Sequence, residues 1–92
     1  MIRVRFLRTF DETLKAPPAK EQARAQSAVN SLLGYFGGGP KPIGLGLRKL
    51  KGNYWEIRAG LGKRIFLSLE GELATFILIG SHDEVRRLLH RR

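Results

Sequence analysis

The stretch YWEIRAGLGKRIFLSLEGELATFILI, residues 54–79, decides the fold because it reads as three strands in succession. Apolar and polar residues alternate with a period of two over 54–59 and again over 64–69, which is the pattern of a half-buried strand. Glu70-Gly71 predicts a tight hairpin, and the run 73–79 that follows is apolar on both faces. These residues therefore predict a three-stranded antiparallel meander whose last strand is the most buried.

Upstream of the meander, the sequence predicts one strand and two helices. Residues 2–7 alternate arginine with Ile, Val and Phe, so we expect a half-buried strand with its apolar side inward. Thr9 is expected to cap a short helix that ends before Pro17-Pro18. Residues 19–36 carry apolar side chains at helical spacing and predict the longest helix.

The segments on either side of the meander are a loop and a terminal helix. The glycine-proline segment 37–46 cannot hold a helix and predicts a loop that continues into a basic connector, LRKLKGN, at 47–53. Ser81 and Glu84 have the spacing of a capping box, which predicts a C-terminal helix over residues 82–90.

The predicted order is strand, two helices, three-stranded antiparallel meander and C-terminal helix, which is an α+β fold. A chain of 92 residues is expected to form one domain, residues 1–92. It contains no cysteine, no signal-peptide pattern at its N-terminus and no apolar run of transmembrane length. We therefore expect a cytoplasmic protein without a membrane partner.

The charge composition indicates a polyanionic partner. Seventeen Lys and Arg against eight Asp and Glu give a formal net charge of +9, which attracts nucleic acid or an acidic protein. A generically basic protein without such a partner is the alternative that composition leaves open.

The alternation places Glu56, Arg58 and Arg64 on one face of the predicted sheet, opposite the aliphatic face. This arrangement fits either a surface salt-bridge ladder or a site for an anion. The connector and the strand after it supply further residues that could contact a nucleic acid, unless they form only a solvated loop. These candidates are Arg48, Lys49, Lys51 and Tyr54.

His82 lies in the first turn of the predicted terminal helix, where the capping box does not require a histidine. It is either a polar surface residue or a group that exchanges protons with a substrate. Two histidines without cysteine or an i, i+4 histidine pair predict no metal site, and no cofactor is expected.

Residues 47–85 resemble the RelE/ParE superfamily of small toxins from type II toxin–antitoxin pairs. The resemblance lies in four pieces that follow in family order: Leu-Lys-Gly, Tyr-Trp-Glu-Ile-Arg, Lys-Arg-Ile-Phe and Gly-Ser-His-Asp. It implies a RelE-like fold and cleavage of messenger RNA without a metal, in many members on the ribosome, by attack of a ribose 2′-hydroxyl on the adjacent phosphate. It also implies a cognate acidic antitoxin as partner.

The resemblance also implies residue roles. Arg64 would stabilise the transition-state phosphate together with Arg58, and Lys51 would position the RNA backbone. His82 stands at a catalytic position of the YafQ-like branch, and Glu56 resembles the general base of the HigB-like and YoeB-like branches. The expected assignment is Glu56 or His82 as base, and His82 as acid.

The sequence also departs from the family's best-known catalytic sets. Tyr54 and Glu56 stand where RelE has a lysine pair, and no tyrosine follows His82. Two further readings therefore remain open: a ParE-like toxin that inhibits DNA gyrase, and a catalytically inactive RelE-fold protein that binds only an antitoxin.

Overall fold

Residues 2–91, which the computed structural model describes, form one mixed sheet with helices on both faces. The elements in chain order are β1 (Arg3–Phe6), α1 (Arg8–Lys15), α2 (Ala19–Phe36), β2 (Arg48–Lys49), β3 (Tyr54–Arg58), β4 (Lys63–Glu70), β5 (Leu73–Ser81) and α3 (His82–Arg91). The strand order is β1-β5-β4-β3-β2, with β1 parallel to β5 and the other pairs antiparallel. The predicted α+β order, including the meander, is confirmed. No helix within this range is long and apolar enough to span a bilayer.

The connector expected to be only a loop contains the short strand β2. Arg48 pairs with Glu56 and Lys49 pairs with Trp55, on the side of β3 away from β4. Two residues are too few to show an alternating pattern, so this strand has no signal in the sequence.

One face of the sheet, which we call the helical face, packs against α1 and α2. Its core includes Phe10, Val29, Leu32, Ile57 and Phe76, each at most 2% exposed. These residues come from both helices and from the central strands, so this core holds the sheet to the two helices.

The opposite face, which we call the α3 face, carries a second and smaller core. Phe66, Ile77 and Val85 are buried there, with Leu88 and Leu89 packed against them. The sequence predicted charged residues on this side of the first two meander strands, and a last strand that is apolar on both faces. This side is partly apolar because α3 returns across β4 and β5 and covers Phe66.

The first strand is more exposed than its alternation predicted. Every residue of β1 is exposed, with Val4 at 37% and Phe6 at 43%. Phe6 still contacts the helical face, because its ring stacks on Phe76 at a centroid distance of 5.1 Å. The strand lies at the edge of the sheet, where it pairs with β5 on one side.

Thr9 does not cap α1, because the helix already begins at Arg8. The N-cap position is Leu7, which makes no side-chain capping hydrogen bond. Its hydroxyl instead donates to the carbonyl of Ile77 in β5. One turn later, the Thr13 hydroxyl accepts a hydrogen bond of 2.9 Å from the Ile79 amide. Two threonines of α1 therefore replace β1 as the hydrogen-bonding neighbour of β5 over its last residues, which fixes the strand end that leads into α3.

Candidate functional site

The pairing of β3 with β4 brings the predicted charged residues together on the α3 face. Arg58 lies directly opposite Arg64, and Glu56 lies opposite Phe66. Directly opposed residues of an antiparallel pair project from the same face. Glu56, Arg58 and Arg64 therefore share one face, two rows deep, at the end of the sheet where α3 begins.

Glu56 lies between an arginine and a histidine. Its Oε2 is 3.6 Å from Nε of Arg64, and its Oε1 is 4.0 Å from Nδ1 of His82. We call these three residues the Arg64–Glu56–His82 cluster. The Glu56 side chain is only 4% exposed, whereas the Arg64 side chain is 23% exposed and the His82 side chain 39% exposed. The carboxylate thus lies behind two accessible cationic or titratable groups.

Two buried atoms of this cluster have no hydrogen-bond partner within residues 2–91. They are Oε1 of Glu56 and Nδ1 of His82, which face each other. Unsatisfied buried polar atoms cost free energy, and they are rare outside functional or strained sites. A small movement of the imidazole would join them in a hydrogen bond.

His82 is held at the junction of β5 and α3 by the predicted capping box. The Glu84 amide donates to Oγ of Ser81 at 3.1 Å, and the Ser81 amide donates to Oε1 of Glu84 at 2.9 Å. Two hydrogen bonds from Ser81 hold the pKa of Glu84 below its ordinary value of 4.5. The bond from the Ser81 amide contributes more than the bond from its hydroxyl. The two reciprocal bonds define where α3 begins, and so where the imidazole points.

The Arg64 guanidinium is fixed at one end and open at the other. Its Nη1 donates to the Lys63 carbonyl at 3.1 Å, and its Nε faces Glu56. Within the described residues, Nη2 has no protein partner. This nitrogen is available to an anion beside the cluster.

Two adjoining hollows lie beside the cluster, at the C-terminal end of β3 and the turn that follows it. The first, the Arg64 hollow of about 360 Å³, is lined by Arg58, Arg64 and the turn 60–62. The second, the Arg24 hollow of about 290 Å³, is lined by Arg24 and two serines of α2 together with Arg58 and the loop 42–45. Arg58 lies on the boundary, since it lines both.

The four residues expected to contact nucleic acid are not all on the side of the cluster. Arg48 pairs with Glu56 and shares its face, whereas Lys49 pairs with Trp55 and belongs to the opposite, helical face. Lys51 is exposed in the turn before β3, and Tyr54 stacks on Phe66 at 5.1 Å. The structure thus separates Lys49 from the cluster.

Arg24 is a residue of this region that the sequence analysis did not select. It lies on the exposed side of α2, and the sequence of a helix does not indicate which strand turn that side will meet. The spacing of Arg24, Ser27 and Ser31 at i, i+3 and i+7 on one helix face was the available signal.

A third hollow, of about 280 Å³, lies on the other side of the β5 end and differs in charge. It is mostly apolar, with Glu21, Lys63 and Glu84 among its lining residues. Two carboxylates make it a poor site for an anion. No group of three or more His, Cys, Asp or Glu residues that could hold a metal ion is present in residues 2–91.

Known proteins resemble this chain in structure. No protein-family model and no curated protein sequence matches this chain. Solved structures do match. A chain of the RelB–RelE antitoxin–toxin complex from Methanococcus jannaschii aligns with a TM-score of 0.68 and 21% identity, over 91% of this chain and 96% of that one.

Two further solved structures give the same result. A chain of the E. coli DinJ–YafQ toxin–antitoxin complex aligns with a TM-score of 0.66 and 15% identity, over 91% of this chain and 96% of that one. The YoeB/ParE toxin from Agrobacterium tumefaciens aligns with a TM-score of 0.61 and 19% identity, over 88% and 99%. At these identities the alignments establish the architecture, and the protein has the RelE-like fold that the sequence predicted.

Proposed function

We propose that this protein is the toxin of a type II toxin–antitoxin pair and acts in the cytoplasm as an endoribonuclease that cleaves messenger RNA. The observation that carries the proposal is the Arg64–Glu56–His82 cluster: a buried carboxylate with an accessible guanidinium on one side and an accessible imidazole on the other. The RelE-like fold supports it, because the fold places this cluster at the open end of the sheet.

The proposed reaction needs three kinds of group. The ribose 2′-oxygen attacks the adjacent phosphorus and loses its proton to a base, and the bond from phosphorus to the 5′-oxygen breaks. The products are a 2′,3′-cyclic phosphate and a 5′-hydroxyl, so the departing oxygen must gain a proton. Cations stabilise the extra negative charge on the phosphorane. Side chains of this chain can supply the base and the cations without a metal ion.

We assign the proton transfer to His82 and a positioning role to Glu56. A 2′-hydroxyl could reach Glu56 only by displacing its neighbours, because the carboxylate is buried. Nδ1 of His82 faces that carboxylate, so Nε2 is the ring nitrogen left for the RNA. Nε2 would accept the 2′-hydroxyl proton, the imidazolium would pair with Glu56, and water would protonate the departing oxygen.

Arg64 and Arg58 form the proposed phosphate clamp. Nη2 of Arg64 has no partner within residues 2–91, and Arg58 lies directly across the strand pair from it. Two guanidiniums on one face can together hold the non-bridging oxygens of one phosphate. Their charge is needed most in the transition state, so their loss should lower the rate of cleavage more than the affinity for RNA.

The test is primer extension on messenger RNA from a translating extract and, in parallel, on purified RNA. Wild-type protein should produce new 5′ ends, and the purified-RNA arm shows whether the ribosome is required. His82→Ala and Arg64→Ala should each slow cleavage by about 10²–10⁴-fold. Arg86→Ala, on the exposed side of α3, is the matched control and should cleave normally.

Glu56→Gln separates the two roles within the cluster. If Glu56 only positions His82, this variant should cleave more slowly than wild type and faster than His82→Ala. A loss equal to that of His82→Ala would make Glu56 the base and reverse the assignment. No new RNA ends in either arm would overturn the ribonuclease proposal. In that case a gyrase supercoiling assay separates a ParE-like inhibitor from an inactive binding protein.

We also propose that an acidic antitoxin binds this toxin. A formal charge of +9 favours a partner rich in Asp and Glu, which would compete with RNA phosphates for the same arginines. The RelE and YafQ structures compared above are of antitoxin complexes, which supports this partner class. Co-expression with the protein encoded by an adjacent small acidic reading frame tests it: a complex that cannot cleave RNA is expected, and failure to co-purify would contradict it.

A further inference from the structure

The Arg24 hollow continues the surface that holds the Arg64–Glu56–His82 cluster, and the proposed reaction leaves it unused. It meets the Arg64 hollow at three shared lining residues, Gly44, Arg58 and Gly60. A strand of RNA whose scissile phosphate lies at Arg64 and Arg58 would therefore pass directly into it.

Two glycines hold the stems of the arginines against the backbone. A Cβ at Gly46 would lie 2.8 Å from Cγ of Arg58, and a Cβ at Gly60 would lie 3.3 Å from Cδ of Arg24. Both glycines have positive φ, +66° and +106°, a conformation that other residues rarely adopt. Close packing limits the positions of both aliphatic stems before any ligand binds, which lowers the entropy cost of binding one.

The hollow offers donors and positive charge without a competing carboxylate. Arg24, Ser27, Ser31 and Arg58 supply two guanidiniums and two hydroxyls, and none of its lining residues is acidic. In the part of the chain that the structure describes, neither Arg24 nor Arg58 has an ion-pair partner. Guanidinium and hydroxyl groups in this combination recognise phosphate oxygens.

Each hollow is also lined by one large apolar side chain that is exposed to solvent. Ile43 lines the Arg24 hollow and is 105% exposed, and Leu61 lines the Arg64 hollow and is 95% exposed. The other large apolar residues exposed in the described chain, Val4 and Phe6, are at 37% and 43%. Apolar side chains beside a cationic groove can contact the faces of nucleobases without selecting their sequence.

We propose that the Arg24 hollow binds the backbone phosphate next to the scissile one, and that Ile43 and Leu61 contact the bases that flank the cut. Arg24 becomes an RNA-binding residue and Arg58 a group shared by two successive phosphates. The proposal rests on the proposed ribonuclease function, because it extends the path of the same RNA strand.

The test measures binding apart from cleavage. The probe is a fluorescein-labelled, fully 2′-deoxy single-stranded oligonucleotide, which lacks the attacking hydroxyl, and the readout is fluorescence anisotropy at several salt concentrations. Arg24→Glu should raise Kd by at least about tenfold, and Arg24→Ala should lower the slope of log K against log salt by about 0.7. Lys20→Glu is the matched control, with the same charge change on an exposed residue of the same helix, and should raise Kd less than about threefold.

The apolar contacts are tested by a second probe. The double variant Ile43→Ser, Leu61→Ser should weaken binding of the oligonucleotide and leave binding of an abasic oligonucleotide of equal length unchanged. Equal weakening with both probes would overturn the assignment of base contacts.

The binding and cleavage assays together distinguish a missing phosphate site at Arg24 from a missing ribonuclease activity. If Arg24→Glu and Lys20→Glu weaken binding equally while wild type still cleaves RNA in a manner that depends on His82, the Arg24 hollow is not a phosphate site and the proposed function stands. If wild type neither binds the probe nor cleaves RNA, both are overturned. In the supporting outcome, Arg24→Glu raises KM for cleavage and leaves kcat within about twofold of wild type.

Discussion

The two faces of the sheet are built from the same strands, yet they differ in what they bury. On the helical face, residues 2–91 bury a core of twelve apolar side chains, which α1 and α2 share with the sheet. On the α3 face, the core has three buried apolar side chains, which one ten-residue helix shares with the sheet. The two buried polar residues of the described chain, Glu56 and Thr75, both belong to this second face, because they pair across the strands with Phe66 and Ser68.

The difference shows how the fold makes room for a site. Two helices cover the central strands on the helical face, so a charge buried there would lose its water without a partner. The shorter α3 covers Phe66 and leaves the next row, Arg58 and Arg64, open. Glu56 lies at the margin, where packing by α3 removes it from solvent but keeps it within 4.0 Å of His82. The candidate site occupies the place where the smaller core ends.

A matched pair of phenylalanines should give the largest effect. Phe76 and Phe66 are both 0% exposed and lie on neighbouring strands, one on each face. Replacing either with alanine should lower the free energy of unfolding by about 3–5 kcal/mol. The loss for Phe76→Ala should fall at the upper end of this range, because this variant also loses ring contacts with Phe6 and Phe10. Urea unfolding measures both values.

Phe66→Ala should lose less free energy of unfolding because α3 is free to shift into the cavity. The cost of a cavity falls when the surrounding structure can collapse into it. Hydrogen exchange should show the shift as faster exchange of the α3 amides in Phe66→Ala and not in Phe76→Ala. Equal losses of stability with unchanged α3 exchange would mean that the two faces are equally rigid.

The sequence predicted the faces of the sheet where alternation was strict, and failed where it was not. Trp55 and Ile57 alternate with Glu56, which assigns both sides of β3 from the sequence alone. The run 73–79 is apolar on both faces apart from Thr75, so no alternation reveals the bulge that inserts Ile77 between the partners of Phe66 and Leu67. That bulge places Ile77 and Leu78 together in the smaller core.

The site could be predicted only in part for a related reason. Local signals gave the face of Glu56 and Arg64 and the capping box beside His82. The distance between Glu56 and His82 depends on how β5 ends and how α3 returns across the sheet, which are tertiary features. Arg24 was missed because it joins the site from α2 across the Gly60 turn.

The start of α3 should give a moderate effect. Ser81→Ala removes the side-chain acceptor of the Glu84 amide and should lower the free energy of unfolding by about 1 kcal/mol. Because the cap also orients His82, cleavage should fall as well. Ser81→Thr, which keeps a hydroxyl, is the control and should retain most of the wild-type stability and cleavage. Loss of stability with unchanged cleavage would show that α3 does not position the imidazole.

The other half of the capping box makes a smaller, pH-dependent contribution. Hydrogen bonds from Ser81 hold the pKa of Glu84 below 4.5 in the folded protein. A carboxyl whose folded pKa is lowered adds stability that is fully present above its unfolded value and is lost as pH falls through the folded one. Glu84→Gln should therefore be less stable than wild type at pH 7, and the difference should shrink below about pH 4.5. A difference that stays constant down to pH 3 would contradict the charge-assisted cap.

The smallest change in stability should come from the residue at the centre of the site. Glu56→Gln should shift the free energy of unfolding by less than about 1 kcal/mol, because its partners keep water contact and the ion-pair attraction roughly offsets the cost of burying the carboxylate. Urea unfolding of this variant beside Phe66→Ala, its neighbour across the strand pair, checks it. A loss as large as that of Phe66→Ala would make Glu56 part of the smaller core. A small loss together with impaired cleavage would mean that the carboxylate serves the site, and that the α3 face holds it at little cost to the fold.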